Sequence, residues 1–227
     1  MILLLLGCNA LPESVTMAGT VWNAPYGTGA QVAGATVDVL DETQNLVDTV
    51  VSAEDGSFVA EVPAGVPFFV TVSADEHVPT AFSGTAGISD FVAPEGYPWV
   101  APDAWIAALR EEFAACPSVN AEGGIVAGEV VGNVEGYPTI QTASAMLYGP
   151  GEISLTACYL DDQGASSADA EVTGKTGRFA IFGVPAGEIV VDVRYSTGTG
   201  EDPVELYRFF APEGGFVPVY PAILDVL

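Results

Sequence analysis

The chain has 227 residues, of which 49% are hydrophobic and 15% charged, so it holds enough apolar material for one large or two small domains and is not disordered. Its 30 acidic residues oppose five basic ones and give a net charge of −25, which excludes nucleic acid as a partner and disfavours bare anionic lipid. The negative field either attracts cations or only keeps the surface hydrated. The 26 glycines and 16 prolines interrupt short runs of Val, Thr, Phe and Tyr, a pattern typical of many short strands.

The amino terminus carries the sharpest local motif. Aliphatic residues fill positions 2–6, and Leu5-Leu6-Gly7-Cys8 resembles the lipobox of bacterial lipoproteins. The resemblance implies that Cys8 is lipidated, becomes the first mature residue and is held in the membrane by acyl chains. Asn9 after the cysteine implies the outer membrane under the rule for enteric bacteria. The apolar run is shorter than an h-region of about 7–15 residues and no basic residue precedes it, so a buried first strand with a reduced cysteine is the alternative.

Short strands follow along the first half of the chain. We predict strands at residues 19–22, 34–40, 46–51, 57–62 and 68–72. Gly56 supplies the positive φ of a tight turn, and Phe58, Ala60 and Val62 then alternate with polar positions. This period of two predicts a strand buried on one face only.

Four motifs of the first half carry a family resemblance. They are Gly19-Thr20-Val21, Gly34-Ala35-Thr36-Val37, Asp55-Gly56-Ser57-Phe58 and Pro63-Ala64-Gly65. Together they resemble the carboxypeptidase regulatory-like domain, a seven-stranded sandwich related to transthyretin and prealbumin. The resemblance implies an all-β, Greek-key-type sandwich, and it implies little about function because this fold is a common scaffold.

One helical segment separates the halves. Pro102 suits a first helical position, and Trp105, Ile106, Leu109 and Phe113 recur at helical spacing between residues 102 and 115. The helix is either a connector packed on a sandwich or a docking element for a partner.

The second half repeats the first. Residues 175–187 match 54–65 in having a Gly turn, a strand that opens with X-Phe, and then Val-Pro-Ala-Gly, and residues 209–214 match 91–96. Further strands are predicted at 124–131, 153–160 and 189–195. We therefore predict four parts: a lipoprotein signal and tether at 1–14, a carboxypeptidase regulatory-like sandwich at 15–100, a helical linker at 101–121, and a second sandwich of similar type at 122–227.

Reactive groups are few in this sequence. His77 is the only histidine, and it falls in a predicted turn, so neither a Ser-His-Asp site nor a zinc site can be assembled. Acidic pairs at 41–42, 54–55 and 161–162 are either calcium ligands or, as we expect, solvated turns. Cys116 and Cys158 remain if Cys8 carries lipid, and they either form a disulfide or stay as buried thiols. We predict no catalytic residue, no metal site and no cofactor.

Aromatic residues are the remaining candidates for a site. Tyr97 and Trp99 follow one Ala-Pro-Glu-Gly motif and Tyr220 follows the other. These three side chains either contact a ligand such as a sugar or cover the ends of the core.

Taken together, these features predict a non-enzymatic cell-envelope lipoprotein, anchored to the membrane through Cys8 on a periplasmic or surface face, with a structural, spacer or adhesive role. The alternative is a carbohydrate- or peptide-binding component of a surface complex, with an envelope protein or glycan as partner. A hydrolase or hydrolase accessory is a further alternative.

Overall fold

The structure, a computed structural model, describes residues 12–24, 28–132, 143–195 and 204–224. Strands make up most of this part of the chain, and one α-helix is present in it, which confirms the all-β class. Among these residues, no helix combines the length and the apolar character needed to cross a bilayer.

The first half contributes nine strands in chain order. They are β1 (Ser14–Thr20), β2 (Thr36–Asp41), β3 (Leu46–Val51), β4 (Ser57–Pro63), β5 (Pro67–Ser73), β6 (His77–Val78), β7 (Thr80–Thr85), β8 (Phe91–Val92) and β9 (Ala101–Pro102). The helix and the second half follow. They are α1 (Asp103–Glu112), β10 (Gly124–Gly132), β11 (Ser144–Gly149), β12 (Ile153–Thr156), β13 (Cys158–Leu160), β14 (Ser166–Ser167), β15 (Arg178–Val184), β16 (Gly187–Arg194), β17 (Val204–Ala211) and β18 (Phe216–Leu224).

The two halves share one strand topology. In the first, β1 pairs antiparallel with β4 and parallel with β8, opposite a layer ordered β7-β5-β2-β3. In the second, β10 pairs antiparallel with β15 and parallel with β18, opposite a layer ordered β12-β11-β16-β17. Gly19 lies opposite Phe58 in one half and Gly128 lies opposite Phe179 in the other. The turn–strand–Val-Pro-Ala-Gly motif therefore occupies the same place in both.

The second shared motif does not occupy equivalent places. Residues 91–92 form β8, which pairs with β1, whereas residues 209–211 end β17, which pairs with β16. By topology β8 corresponds to β18 and β17 to β7. The expectation of equivalence is wrong here because β7 ends at Thr85, so the motif comes one strand later in the first half.

The second half also differs from the sequence prediction in two strands. Strand β11 (Ser144–Gly149) lies outside the predicted strands, and only Ala145 and Leu147 of its six residues are buried. The predicted strand at 153–160 is two strands: β12 pairs with β11, and β13 pairs with β15 in the other layer. The chain crosses between layers at Ala157, which belongs to neither strand.

The two sandwiches join into a single body. A bridge between Thr80 of β7 and Phe216 of β18 links one layer of each half into a nine-stranded sheet, ordered β14-β13-β15-β10-β18-β7-β5-β2-β3. Trp99 and Trp105 pack against Phe216, with ring centroids 5.6 and 5.1 Å away. The core that fills the first sandwich thus continues onto the second.

Helix α1 lies on the outer face of β15. The predicted helix is confirmed, although it begins at Asp103 and ends at Glu112. Its apolar stripe is packed inward: Ile106 and Leu109 are buried, and Phe113 beyond the helix end contacts Phe182, with ring centroids 6.1 Å apart. Within the chain, the helix therefore acts as a packed connector.

Candidate functional site

Trp99 is a core residue. Its side chain has no exposed surface, and its ring packs edge-on against Phe82 and Trp105. The hypothesis that Trp99 contacts a ligand at the surface is therefore wrong for the folded protein, because strand pairing beside Trp22 turns the ring into the junction between the sandwiches.

The other two predicted contacts have different outcomes. Tyr97 is half-buried, packs edge-on against Phe82, and lines a shallow depression of about 270 Å³ together with Trp22 and Val92. The side chain of Tyr220 lies outside the described residues, as does the lipidation site predicted at Cys8. The structure thus leaves Tyr97 partly accessible.

Cys116 and Cys158 form a disulfide in the structure, with Cα atoms 5.8 Å apart. The bond ties the segment after α1 to β13 of the second sandwich. The Ser118 hydroxyl lies 3.2 Å from the sulfur of Cys116. The covalent link therefore holds the connector on the face that it covers.

His77 opens the two-residue strand β6, directly after the turn at Asp75 and Glu76, and not within the turn as expected from the sequence. Its Nδ1 donates to the carbonyl oxygen of Asp75 at 2.6 Å, and its backbone pairs with Pro102. The side chain is partly exposed. These contacts fix the local turn.

The acidic pairs also act in turns. One carboxylate oxygen of Asp41 accepts hydrogen bonds from the backbone and hydroxyl of Thr43, each at 2.8 Å, and from the backbone of Asn45 at 2.9 Å. These bonds, the Thr43 hydroxyl first, lower the pKa of Asp41 to about 2. Asp161 accepts from two backbone N–H groups in the same manner. Among the described residues, no group of three or more His, Cys, Asp or Glu side chains could hold a metal ion.

A larger concavity opens on the second sandwich. This groove, with a volume of about 810 Å³, runs across the outer sides of β11 and β16. Antiparallel pairing places Met146 opposite Asp192 and Ser144 opposite Arg194, so alternate side chains of two neighbouring strands form its floor. The connection from β14 to β15 provides one wall through Glu171, and Cys158 of the disulfide also lines the groove.

An ion pair occupies the groove floor. Arg194 donates to both carboxylate oxygens of Asp192, with its Nε 3.1 Å from Oδ1 and its Nη2 2.9 Å from Oδ2. The Asp192 side chain is 7% exposed and that of Arg194 57%, so the carboxylate is fixed below an accessible guanidinium. The hydrogen bonds and charge of Asp192 raise the pKa of Arg194, and neighbouring Tyr148 adds to the effect. Tyr148 itself is 42% exposed.

The position of Arg194 differs from that of the other three arginines. Arg110 lies over the ring of Phe182, Arg178 pairs with Glu112 of α1, and Arg208 lies over Phe69 of the first sandwich. Those three guanidinium groups hold the connector and the two halves together. Arg194 is the arginine that lines the groove.

The sequence predicts which face of the strand these side chains share, but it does not predict the groove. Alternation in residues 189–195 places Asp192 and Arg194 on one face of the strand. The residues on its other face are buried as predicted: Ile189, Val191 and Val193. The groove itself depends on β11, which was not predicted, and on a wall more than 20 positions away along the chain. No local pattern signals such a combination.

Comparison with known proteins gives only distant likenesses. No family model matches the chain, and no curated protein matches it. Solved structures include the Bacillus anthracis TIE protein, with 12% identity over 93% of this chain and 34% of that one, at a TM-score of 0.29. The shaft pilin SpaA from Lactobacillus rhamnosus GG has 8% identity over 90% of this chain and 95% of that one, at 0.27. Catechol 1,2-dioxygenase from Pseudomonas arvilla C-1 has 16% identity over 35% of this chain and 37% of that one, at 0.27.

The chain thus spans about a third of the length of the TIE protein. Likenesses with TM-scores this low carry no argument about function. Membership of the carboxypeptidase regulatory-like family stays a prediction from the four sequence motifs.

Proposed function

We propose that this protein is a non-enzymatic lipoprotein of the cell envelope, anchored through lipid on Cys8, in which two sandwich domains form one rigid structural, spacer or adhesive body. The observation that carries the proposal is the junction between the sandwiches. A spacer transmits position only if its modules do not rotate against each other, and domains joined by a small polar contact move freely.

Three contacts of different kinds support a rigid junction. The first is the shared sheet, in which β7 and β18 are neighbours. The second is the aromatic cluster of Trp99, Trp105 and Phe216, in which Trp99 and Phe216 are fully buried. The third is Arg208, which lies over Phe69 and donates to the carbonyl oxygen of Glu42, so that a residue of the second half is bound to the first. Each would have to break for the halves to rotate.

The lipid anchor is tested by mass spectrometry of the protein purified from its native host. We expect the mature chain to begin at Cys8 with a diacylglyceryl group, and a Cys8→Ser variant to leave the membrane fraction. An unmodified chain that retains Met1 contradicts the anchor.

The rigid body is tested by small-angle X-ray scattering of the full chain in detergent-free buffer as a Cys8→Ser variant. We expect one maximum dimension that does not change between low and high salt, because the junction is mainly apolar. A profile that requires an ensemble of domain orientations contradicts the spacer.

The absence of enzymatic activity is part of the proposal. Support comes from the engagement of Cys116 and Cys158 in a disulfide and of the His77 ring in a hydrogen bond to the carbonyl oxygen of Asp75. A panel of esterase, protease and glycosidase substrates should give rates equal to buffer. Turnover that is lost in a His77→Ala variant would establish a hydrolase instead.

A further inference from the structure

The groove on the second sandwich has the size and lining of a binding site. Its volume of about 810 Å³ falls within the range of about 300–1,000 Å³ that is usual for ligand sites. Its lining combines one accessible aromatic ring, Tyr148, with a fixed ion pair and the hydroxyl-bearing side chains Ser144 and Thr156. Polar groups held in place beside an aromatic face recognise ligands that have both hydroxyl groups and apolar faces.

Charge limits which ligands can enter. The charged residues lining the groove are Glu171, Asp192 and Arg194, which leaves a net charge of −1 within a protein of net charge −25. An anionic ligand is repelled by this field. A cation gains little at the most buried carboxylate, because Arg194 already neutralises Asp192. The groove therefore favours an uncharged ligand.

The ion pair also limits how apolar the ligand can be. The Asp192 carboxylate is almost buried and the guanidinium above it is accessible. Covering the guanidinium with a purely apolar molecule would remove its water without replacing the hydrogen bonds, which is costly. A ligand with neighbouring hydroxyl groups replaces that water, since a planar guanidinium presents several donors in a fixed fork.

A peptide strand fits the floor less well. Both β11 and β16 are inner strands of the four-stranded layer β12-β11-β16-β17, so their backbone groups already pair on both sides. Strand addition needs an unpaired edge. Around the ion pair and Tyr148 these two strands offer side chains only, and this favours recognition by hydroxyl contacts over backbone pairing there.

From these four constraints we propose that the groove binds a neutral oligosaccharide, with the Tyr148 ring against the C–H face of one sugar and Arg194, oriented by Asp192, donating to neighbouring hydroxyl groups. The site does not depend on the lipid anchor. It adds a ligand to the envelope role and can fail while that role stands.

The test uses the full chain as a Cys8→Ser variant on an array of neutral gluco-, manno-, galacto- and chito-oligosaccharides, with sulfated and uronic-acid glycans beside them, followed by calorimetry. We expect at least one neutral glycan to bind and the anionic ones to be rejected. Tyr148→Ala should weaken binding about tenfold, whereas Tyr148→Phe, which keeps the ring, should bind within about threefold of the parent.

Arg194→Lys is the second variant, because it keeps the charge and loses the planar fork; we expect about tenfold weaker binding. Val59→Ala, an exposed aliphatic position on the first sandwich, is the control and should not change affinity. Thermal unfolding shows whether each variant is folded. No neutral glycan bound, a preference for anionic glycans, or affinity unchanged in both groove variants would overturn the proposal.

Discussion

Strands β4 and β15 occupy equivalent positions in the two sandwiches, but β4 is buried on one face and β15 on both. In β4, burial alternates: Phe58, Ala60 and Val62 are buried, whereas Val59 and Glu61 are exposed. In β15, four consecutive residues, 179–182, are all buried. Both strands begin after a Gly turn and pair with the first strand of their sandwich at a glycine.

The cause of the difference is what lies on the outer face. Residues 180 and 182, which correspond to Val59 and Glu61, belong to the core that continues from the first sandwich, and the connector covers them. The matching face of β4 has no such cover among the described residues, and Glu61 there accepts a hydrogen bond from Ser14 at 2.6 Å. The outer face of this strand is therefore exposed in the first sandwich and packed in the second. The difference lies in the two outward-facing residues of each strand.

The largest expected effect is at Phe182. Its buried ring packs edge-on against Phe113 and lies under the Arg110 guanidinium, so Phe182→Ala leaves a cavity in this contact and should lower the free energy of unfolding by about 3–5 kcal/mol. The equivalent Glu61→Ala should change it by less than about 0.5 kcal/mol. Urea unfolding of both variants measures the two values. Equal losses would show that the connector does not stabilise β15.

The disulfide comes next. The Cys116→Ser/Cys158→Ser pair should lower the free energy of unfolding by about 2–4 kcal/mol, since the bond closes a loop between residues 42 positions apart. Amide exchange should accelerate in α1 and β15 and stay unchanged in β4. Thiol counting on the denatured, non-reduced Cys8→Ser variant, which keeps only Cys116 and Cys158, should find no free thiol. Two free thiols would show that Cys116 and Cys158 do not form a disulfide.

The glycines at which the two strands pair give a smaller effect. A Cβ on Gly128 would lie 2.2 Å from the carbonyl oxygen of Val219, whereas one on Gly19 would meet the Phe58 ring at 2.7 Å. A ring can shift and a paired backbone cannot, so Gly128→Ala should cost more than Gly19→Ala, within about 1–3 kcal/mol. Thermal unfolding of both variants tests the order, and the reverse order would contradict the register of β10 with β18.

The smallest effect concerns Glu129, which replaces Thr20 of the first sandwich. Burial raises the pKa of Glu129 above its ordinary value, and Arg178 partly opposes this. Because the folded pKa is higher than the unfolded one, ionisation of Glu129 destabilises the fold at neutral pH, and the penalty disappears as pH falls to the unfolded value. Glu129→Gln should therefore be more stable than the parent at pH 7 and equal to it at acidic pH.

Carboxyl NMR titration measures the pKa of Glu129 directly. In Arg178→Gln the pKa of Glu129 should be higher than in the parent, because the opposing positive charge is gone. A lower or unchanged value would show that Arg178 does not act on β10.

The sequence by itself determined the all-β class, the helix and the repeated turn–strand unit. These depend on local rules: Gly56 and Gly177 have φ of 73° and 66°, as tight turns require, and alternation predicts which residues of β4 are buried. Tertiary structure alone decided the rest. Trp99 became core, β15 was covered on both faces, and the groove around Asp192 formed, because each depends on segments that are distant in the chain. A pattern within one strand says which side chains share a face, and only packing says what lies against that face.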